Sequence, residues 1–228
     1  MAAGRVRIDA AEAHHLRDVL RLVAGDAVEL FDGAGAWASG QIVECGPDGV
    51  TVEVAGDVQQ EAASGGLTLA VSPPKGSRAE WMVEKLAELG VCEWIPLRTE
   101  RTVMMPAAGR LARWRRVCVA AAKQSRQSAE MRVGAPAALT ELLAERGRTD
   151  RLLLADVGGA ELHAALARGL AERWLAIVGP EGGLTAAEKE QVVRAGGQCV
   201  RLARAVLRVE TAAVALASVW AGAADSRG

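Results

Sequence analysis

The chain has 228 residues, of which 50% are apolar and 24% are charged, and its formal net charge at pH 7 is −1. It can hold one large or two small domains, and no apolar run approaches the ~18 residues of a membrane span, so we expect a cytoplasmic protein that is neither secreted nor membrane-inserted. The four cysteines are widely spaced without a C-x-x-C pair, and the three histidines form no H-E-x-x-H motif. This pattern favours reduced thiols and argues against zinc, so no metal is expected.

The first 66 residues are predicted to form a β-rich domain after one short helix. Asp9 is a candidate N-cap with Glu12 at the capping-box position. Three alternating segments follow, "DAVELFDG", "AWASGQIVECG" and "GVTVEVAG", separated by glycine and aspartate turns, and they predict a small β-barrel. The helix should bury one apolar face, made of Leu16, Val19, Leu20 and Val23. The polar stretch "QQEAASGG" at 59–66 predicts a linker, and thus domains at 1–66 and 67–228.

After the linker the pattern changes to alternating strands and helices. "LTLAVSPP" predicts a strand, and Ser77 with Glu80 predicts a capping box for a helix that runs to Leu89 and ends at Gly90. "CEWIPL" predicts the next strand. A helix is predicted over 110–124, with Arg113 and Arg116 facing outward and Leu111, Trp114, Val117 and Ala121 facing inward.

The last third of the chain continues this alternation. "RLLLADVGG", "RWLAIV" and "CVRLA" predict strands, "AAEKEQVVRAGG" predicts a helix, and 211–221 predicts the final helix. Such alternation is typical of a parallel sheet with helices on both faces, where ligands bind at the carboxyl ends of the strands. Three loops are predicted to lie there: "ADVGG", "GPEGG" and "ARAVLRVETAA".

The "GPEGG" loop is anchored at both ends. Leu175–Val178 predicts a strand buried on both faces, and Thr185 with Glu188 predicts a capping box. The loop has neither of the common phosphate-binding spacings, and Glu181 would repel a phosphate. A neutral or cationic ligand fits better, although a tight connection without any ligand is an alternative interpretation.

Charge is distributed unevenly along the chain. Residues 1–66 carry 4 basic and 11 acidic side chains, whereas residues 98–132 carry 9 basic and 2 acidic ones. The second segment, with a net charge of +7, is predicted to bind nucleic-acid phosphates. A solvated helix face is the alternative.

Several motifs in order resemble one known family: "HHLRDVLR", "KGSRAEWMVEKLAELGV", "IPLRTER", "AAKQS", "IVGPEGGLTAAE" and "LARAVLRVETAA". The chain is similar to SPOUT-class S-adenosylmethionine methyltransferases, and more closely to the RsmE-type uracil-N3 methyltransferases of small-subunit (16S) ribosomal RNA. The resemblance implies a PUA-like RNA-binding β-barrel at 1–66. It also implies a SPOUT α/β domain at 67–228 with a parallel sheet and a deep trefoil knot, and a homodimer that acts on rRNA of the assembled subunit. Other hypotheses remain: a SPOUT enzyme acting on tRNA or a ribose 2′-OH, or a non-catalytic RNA-binding protein.

The resemblance also implies roles for particular residues. Arg208 would stabilise a uracil anion or clamp a phosphate, and Glu210 would hold Arg208, act as a base, or serve only as a charge at a helix N-terminus. Thr211 is alternatively the cap of the last helix. S-adenosylmethionine would contact Leu154, Ala155, Gly179, Pro180, Glu181, Gly182, Gly183, Leu202, Leu207, Arg208, Thr211 and Ala212. RNA would contact Arg17, Arg21, Lys75, Lys85, Arg101, Arg113, Arg116, Lys123 and Gln124, for which surface ion pairs are the alternative.

Two further expectations concern glycine and tryptophan. Gly179, Gly182 and Gly183 should let the backbone approach the ligand without a Cβ clash. Trp81, Trp94, Trp114, Trp174 and Trp220 are predicted to lie in the core. The chain departs from the family at its start, "MAAGRVRIDA", where an aromatic-rich strand is usual. We therefore expect either a missing strand or a start that was assigned late.

Overall fold

The protein is described by a computed structural model that covers residues 3–60, 66–145, 151–166 and 173–225. Contacts divide the chain into two compact units, Met1–Ala62 and Ala63–Gly228. The predicted linker residues 61–65 lie outside the described residues, and residues 59–60 belong to a strand.

The first unit is an antiparallel sheet with one short helix. Its strands are β1 (Gly4–Arg7), β2 (Ala27–Phe31), β3 (Ala36–Gly46), β4 (Gly49–Val54) and β5 (Gln59–Gln60). They pair in the order β1-β4-β3-β2, with β5 on β3. Alternate residues of β4, Val50 and Val52, point into a small core with Ile42 and Ala13. The expectation of a missing first strand is wrong, because β1 pairs with β4 along its whole length.

The helix of the first unit, α1 (Ala10–His14), begins as predicted but ends early. The Asp9 carboxylate accepts the backbone N–H groups of Ala11 and Glu12 at 3.0 Å. The chain then passes into a π-helical turn, His15–Val19, whose wider winding breaks the 3.6-residue period. The predicted buried face is therefore wrong in part: Leu16 packs against the core, but Val19, Leu20 and Val23 are more than half exposed.

The second unit is built on a parallel sheet. Its strands are β6 (Leu67–Val71), β7 (Glu93–Arg98), β8 (Arg132–Val133), β9 (Ala137–Ala138), β10 (Arg151–Glu161), β11 (Trp174–Val178) and β12 (Gln198–Arg201). They are ordered β12-β10-β11-β6-β7-β8, with β9 also on β7. All five residues of β11 are buried, as expected for a central strand covered on both faces.

Helices cover both faces of this sheet. They are α2 (Arg78–Glu88), α3 (Ala108–Ser125), α4 (Leu139–Glu145), α5 (Leu162–Leu166), α6 (Ala186–Arg194) and α7 (Val209–Asp225). Leu67, Leu69 and Val71 of β6 point to the layer of α2, α3, α5 and α7, whereas Ala70 points to the layer of α4 and α6. The predicted α/β domain is thus confirmed, and the side-chain period of two separates its two cores.

Two helices begin differently from the prediction made from local sequence patterns. Ser77 makes no side-chain capping bond because its backbone already has helical angles, and Glu80 instead pairs with Arg113. The final helix begins at Val209 rather than Thr211, so Thr211 is an exposed residue inside it and caps nothing. Among the tryptophans, Trp81 is 45% exposed, which contradicts its predicted place in the core.

Other local predictions hold. Thr185 and Glu188 form the reciprocal capping box of α6, and Gly90 follows α2 with φ +71°. Trp94 and Trp114 pack edge to face at 4.9 Å in the main core. No helix in the described ranges combines the length and apolarity needed to cross a bilayer.

Candidate active site

A cavity of about 270 Å³ lies at the carboxyl ends of β10, β11 and β12. Its walls are residues 154–157 of β10, where the strand leaves its ladder with β12, the "GPEGG" loop after β11, the loop after β12, and the first turn of α7, with one side chain from α6. The three loops singled out from the sequence therefore meet at one site. Parallel topology explains this, because it places all these strand ends on the same edge of the sheet.

The glycines of the "GPEGG" loop are required chiefly by the packing of the loop itself. A Cβ at Gly179 would lie 2.3 Å from Cδ1 of Leu184, which is buried. Gly183 has φ +67°, and its N–H donates to the Pro180 carbonyl at 2.7 Å to close a turn. A Cβ at Gly182 would face Cδ of Arg101 at 3.3 Å. Gly182 also lines the cavity, so a close approach of its backbone to a ligand stays a prediction.

The loop is tied to the segment after β7. The guanidinium of Arg101 donates from Nη1 to the Gly182 carbonyl at 2.7 Å. The Glu188 carboxylate accepts the backbone N–H of Glu100 at 2.7 Å and that of Thr185 at 2.9 Å. Glu188 thus serves both as the capping-box acid of α6 and as a bridge between two loops, so the loop wall of the cavity is fixed at several points.

Ten of the twelve residues predicted to contact the cofactor line this cavity. The two others, Arg208 and Thr211, stand beside the lining residues Leu207, Val209 and Ala212 without belonging to the lining. Both are exposed.

Several lining residues were missed by sequence reasoning, among them Asp156, Lys189 and Leu184. Asp156 follows the buried run of β10, and Lys189 lies in the first turns of α6. For Asp156, its place directly after the buried apolar run was the signal that could have singled it out. Only the fold brings Lys189 of α6 to the cavity.

The cavity carries one ion pair. The Asp156 carboxylate contacts the Lys189 ammonium and also accepts the Gly158 N–H at 2.9 Å. The hydrogen bond from Lys189 is the main reason that the pKa of Asp156 lies below its ordinary value. With Glu181, the lining therefore holds two acidic groups and one basic group, a balance that suits a ligand with net positive charge.

The chain matches the family model for the RNA methyltransferase domain over residues 61–221 and that for the RNA methyltransferase PUA domain over residues 8–55. It is 33% identical over 220 residues to the ribosomal RNA small subunit methyltransferase E of Synechocystis sp., covering 94% of this chain and 72% of that one. It belongs to the ribosomal RNA small subunit methyltransferase E family. The resemblance noted from the sequence motifs is thus confirmed.

Other members of this family are similar to the chain in sequence and in structure. The Mycobacterium tuberculosis protein of the same name is 30% identical over 222 residues, covering 93% of this chain and 84% of that one. The fold is shared with the Neisseria gonorrhoeae enzyme of the same name, a structure bound to S-adenosylmethionine, at TM-score 0.84 and 28% identity. That match covers 96% of this chain and 92% of the other.

The two residues predicted to act in catalysis have different surroundings. Glu210 is 6% exposed, and its Oε1 lies 3.4 Å from Nη1 of Arg78 at the start of α2, while its Oε2 is buried without a hydrogen-bond partner. Its partner is therefore Arg78 and not Arg208. Arg208 is exposed at the start of α7, where its carbonyl accepts the Ala212 N–H at 2.8 Å.

The predicted RNA-binding residues fall into two groups. The first group comprises four residues with intramolecular partners: Arg17 binds the Asp18 carboxylate and the Gly46 carbonyl, and Lys85 binds Glu84 and Glu88. Arg101 binds the Gly182 carbonyl, and Arg113 pairs with Glu80. The hydrogen bond to Asp18 raises the pKa of Arg17. The hydrogen bonds to Glu84 and Glu88 raise the pKa of Lys85. These partners fit the ion-pair alternative. The other five share only their exposure to solvent: Arg21, Lys75, Arg116, Lys123 and Gln124.

Proposed function

We propose that this protein transfers a methyl group from S-adenosylmethionine to N3 of a specific uridine in small-subunit (16S) ribosomal RNA. The observation that carries the proposal is the cavity at the ends of β10, β11 and β12, in a chain of this family, walled by the "GPEGG" loop. The Neisseria gonorrhoeae relative supports the choice of cofactor, since its structure is bound to S-adenosylmethionine.

The lining fits this cofactor chemically. Apolar side chains such as Leu154, Leu202 and Leu207 offer a surface for a purine ring, and the glycine loop offers backbone groups at close range. Asp156 and Glu181 suit a sulfonium and would disfavour a phosphate-bearing cofactor. The cofactor supplies an electrophilic methyl group.

The residues of the chain would prepare the uracil for this transfer. N3 of uracil carries a weakly acidic proton that must be lost, which leaves negative charge on the ring. Arg208 stands at the edge of the cavity with an exposed side chain and would stabilise that charge. Glu210 would act by holding Arg78 at the junction of α2 and α7, which keeps the first turn of α7 in place.

Substitution of Arg208 tests its role. Removal of one such group commonly costs about a hundredfold in turnover. Arg208→Ala should therefore lower kcat by about that factor, while the Kd for S-adenosylmethionine stays within about threefold. Arg204→Ala is the matched control, since Arg204 is exposed in the same loop but lines a separate cavity with Glu161 and Arg201. Equal losses in the two variants would contradict a specific role for Arg208.

The decisive experiment identifies the product. Small ribosomal subunits from cells that lack the endogenous activity are incubated with the protein and labelled S-adenosylmethionine, and the nucleosides are separated. The proposal requires 3-methyluridine. A ribose-methylated nucleoside, or transfer to tRNA alone, would support a different SPOUT enzyme, and no cofactor binding by calorimetry would support a non-catalytic RNA-binding protein.

Recognition of RNA is proposed for both domains. The 1–66 domain, which resembles a PUA domain, would contact rRNA in the cytoplasm through exposed residues such as Arg21. In the 67–228 domain, Arg113 and Arg116 lie on the exposed side of α3, and Lys123 follows on the same helix. These side chains would contact backbone phosphates.

We also propose a homodimer and a trefoil knot, both of which the family resemblance implies. Ala213 and Ala217 are buried in the core of their own subunit, so they are not the surface for a second copy. The exposed Trp81 of α2 is a better candidate. Sedimentation at micromolar concentration should give a dimer, and Trp81→Glu should shift it toward monomer. An active wild-type monomer would contradict the dimer.

A further inference from the structure

Strand β10 makes an excursion that no strand pattern predicts. Ala155 and Ala160 are both opposite Val200 of β12, so residues 156–159 leave the ladder and return to the same point. Gly159 makes the return possible, because a Cβ there would lie 2.5 Å from the backbone of Cys199 and Val200. The excursion places Asp156 and Val157 in the wall of the cavity.

The ion pair that results joins this excursion to α6. Asp156 is held on both sides, by the Gly158 N–H on Oδ1 and by the Lys189 ammonium on Oδ2. The Asp156 side chain is 16% exposed and that of Lys189 is 41% exposed. Both groups line the cavity, so a bound molecule meets a carboxylate and an ammonium side by side.

We propose that Asp156 and Lys189 recognise the amino-acid end of S-adenosylmethionine, with Asp156 taking its α-ammonium and Lys189 its α-carboxylate. This rests on the proposed function and extends it, because it names the part of the cofactor that these two residues select. The methionine end is a zwitterion whose opposite charges are as close together as those of the pair. Its ammonium can therefore replace Lys189 as the partner of Asp156, while its carboxylate replaces Asp156 as the partner of Lys189. No charge is then left unpaired.

The rest of the described lining supplies no second cation. Most of it is apolar side chain and glycine backbone, and its remaining charged group, Glu181, is acidic and exposed. Within the described lining, Lys189 is therefore the group with the charge to bind a carboxylate. The adenine and ribose have no net charge and do not need it.

The expected losses follow from exposure. A hydrogen bond to a charged group is worth roughly a factor of ten or more in affinity, and less where water competes. Asp156→Asn, which keeps the shape of the side chain, should weaken binding of S-adenosylhomocysteine by about tenfold. Lys189→Gln should weaken it by about three- to tenfold, because Lys189 is more exposed.

The test compares two thioether ligands that differ only in this end. Titration calorimetry on the full chain measures the Kd of S-adenosylhomocysteine and of 5′-methylthioadenosine, which lacks the amino-acid part. Both substitutions should weaken the binding of S-adenosylhomocysteine. The Kd of 5′-methylthioadenosine should stay within about twofold of the wild-type value. Arg194→Gln is the matched control, since it breaks an ion pair with Glu190 on the same helix, and it should change neither Kd.

Decarboxylated S-adenosylhomocysteine separates the two assignments. It keeps the ammonium, so its Kd should rise with Asp156→Asn but not with Lys189→Gln. If the substitutions weaken 5′-methylthioadenosine as much as they weaken S-adenosylhomocysteine, the pair binds ribose or shapes the loop. That result would overturn the proposal. No effect on any ligand would overturn it as well. If the wild-type protein binds none of the ligands, the proposed function itself fails.

Discussion

Gly179→Ala should damage the proposed cofactor site through one buried contact. The new Cβ would lie 2.3 Å from Cδ1 of Leu184, whereas carbon atoms normally pack at about 3.5–4.0 Å. Leu184 is 6% exposed and packs in the core beneath α6, so it must move by more than about 1 Å with little free space on its inner side. Leu184 also lines the cavity, so its side chain can move most easily into the space proposed for the cofactor.

Overpacking of this kind costs about 1–3 kcal/mol. We expect the free energy of unfolding to fall by about 1–2 kcal/mol, and the affinity for S-adenosylmethionine to fall about tenfold, which corresponds to about 1.4 kcal/mol. Chemical denaturation and titration calorimetry measure the two effects separately. Gly109→Ala is the control, because a Cβ on this residue of α3 meets nothing within 4 Å and Gly109 is not among the lining residues, so cofactor affinity should change by less than about twofold.

A double-mutant cycle tests the mechanism. Leu184→Ala alone should destabilise the protein by about 2–5 kcal/mol, but in the Gly179→Ala background it also removes the clash. The sum of the losses in the two single variants should therefore exceed the loss in the double variant by about 1–2 kcal/mol. Strict additivity, or equal harm from Gly109→Ala, would refute the assignment of Gly179 to the packing of Leu184.

The other predictions concern RNA, pH and thiols. Arg113→Ala with Arg116→Ala should lower the salt slope of rRNA binding by about one to two units in filter-binding titrations, with unchanged cofactor affinity; an unchanged slope would place the RNA elsewhere. The pKa of Asp156 is lowered by folding, so its ion pair stabilises the protein above pH 3.8 and loses that contribution as the pH falls through the folded pKa. The difference in unfolding free energy between wild type and Asp156→Asn should thus be constant from about pH 7 to 5 and shrink below about pH 4, and a difference that grows in acid would contradict this. Burial raises the pKa of Cys118 to about 12, so at pH 8 maleimide should label the exposed Cys92 and spare Cys118, as mass spectrometry of the native protein can show.

Local patterns in the sequence were sufficient for most of the second unit. Thr185 with Glu188 marked the start of α6, and the apolar run at Leu175–Val178 marked a strand buried on both faces. These predictions hold because capping and side-chain period are properties of a few neighbouring residues. The order of strand, loop and helix was then enough to predict that the three loops meet at one edge of the sheet.

Local patterns were insufficient where the chain leaves its regular period. Val19, Leu20 and Val23 would share a buried face in an α-helix, but a π-helical turn exposes them. Ser77 has the right neighbours for a capping box, yet the helical angles of its own backbone keep it from capping. Trp81 is exposed on α2 in spite of its apolar ring.

The sequence by itself determined the family, the alternation of strands and helices, and about half of the cavity lining, because these depend on ordered motifs and local chemistry. The tertiary structure alone decided which distant side chains meet. Arg78 and Glu210 are 132 residues apart, and Arg101 reaches the Gly182 carbonyl across 81. Asp156 meets Lys189 because β10 leaves its ladder for four residues. Such contacts are set by strand order and by the exact path of loops, and neither is encoded in the spacing of neighbouring residues.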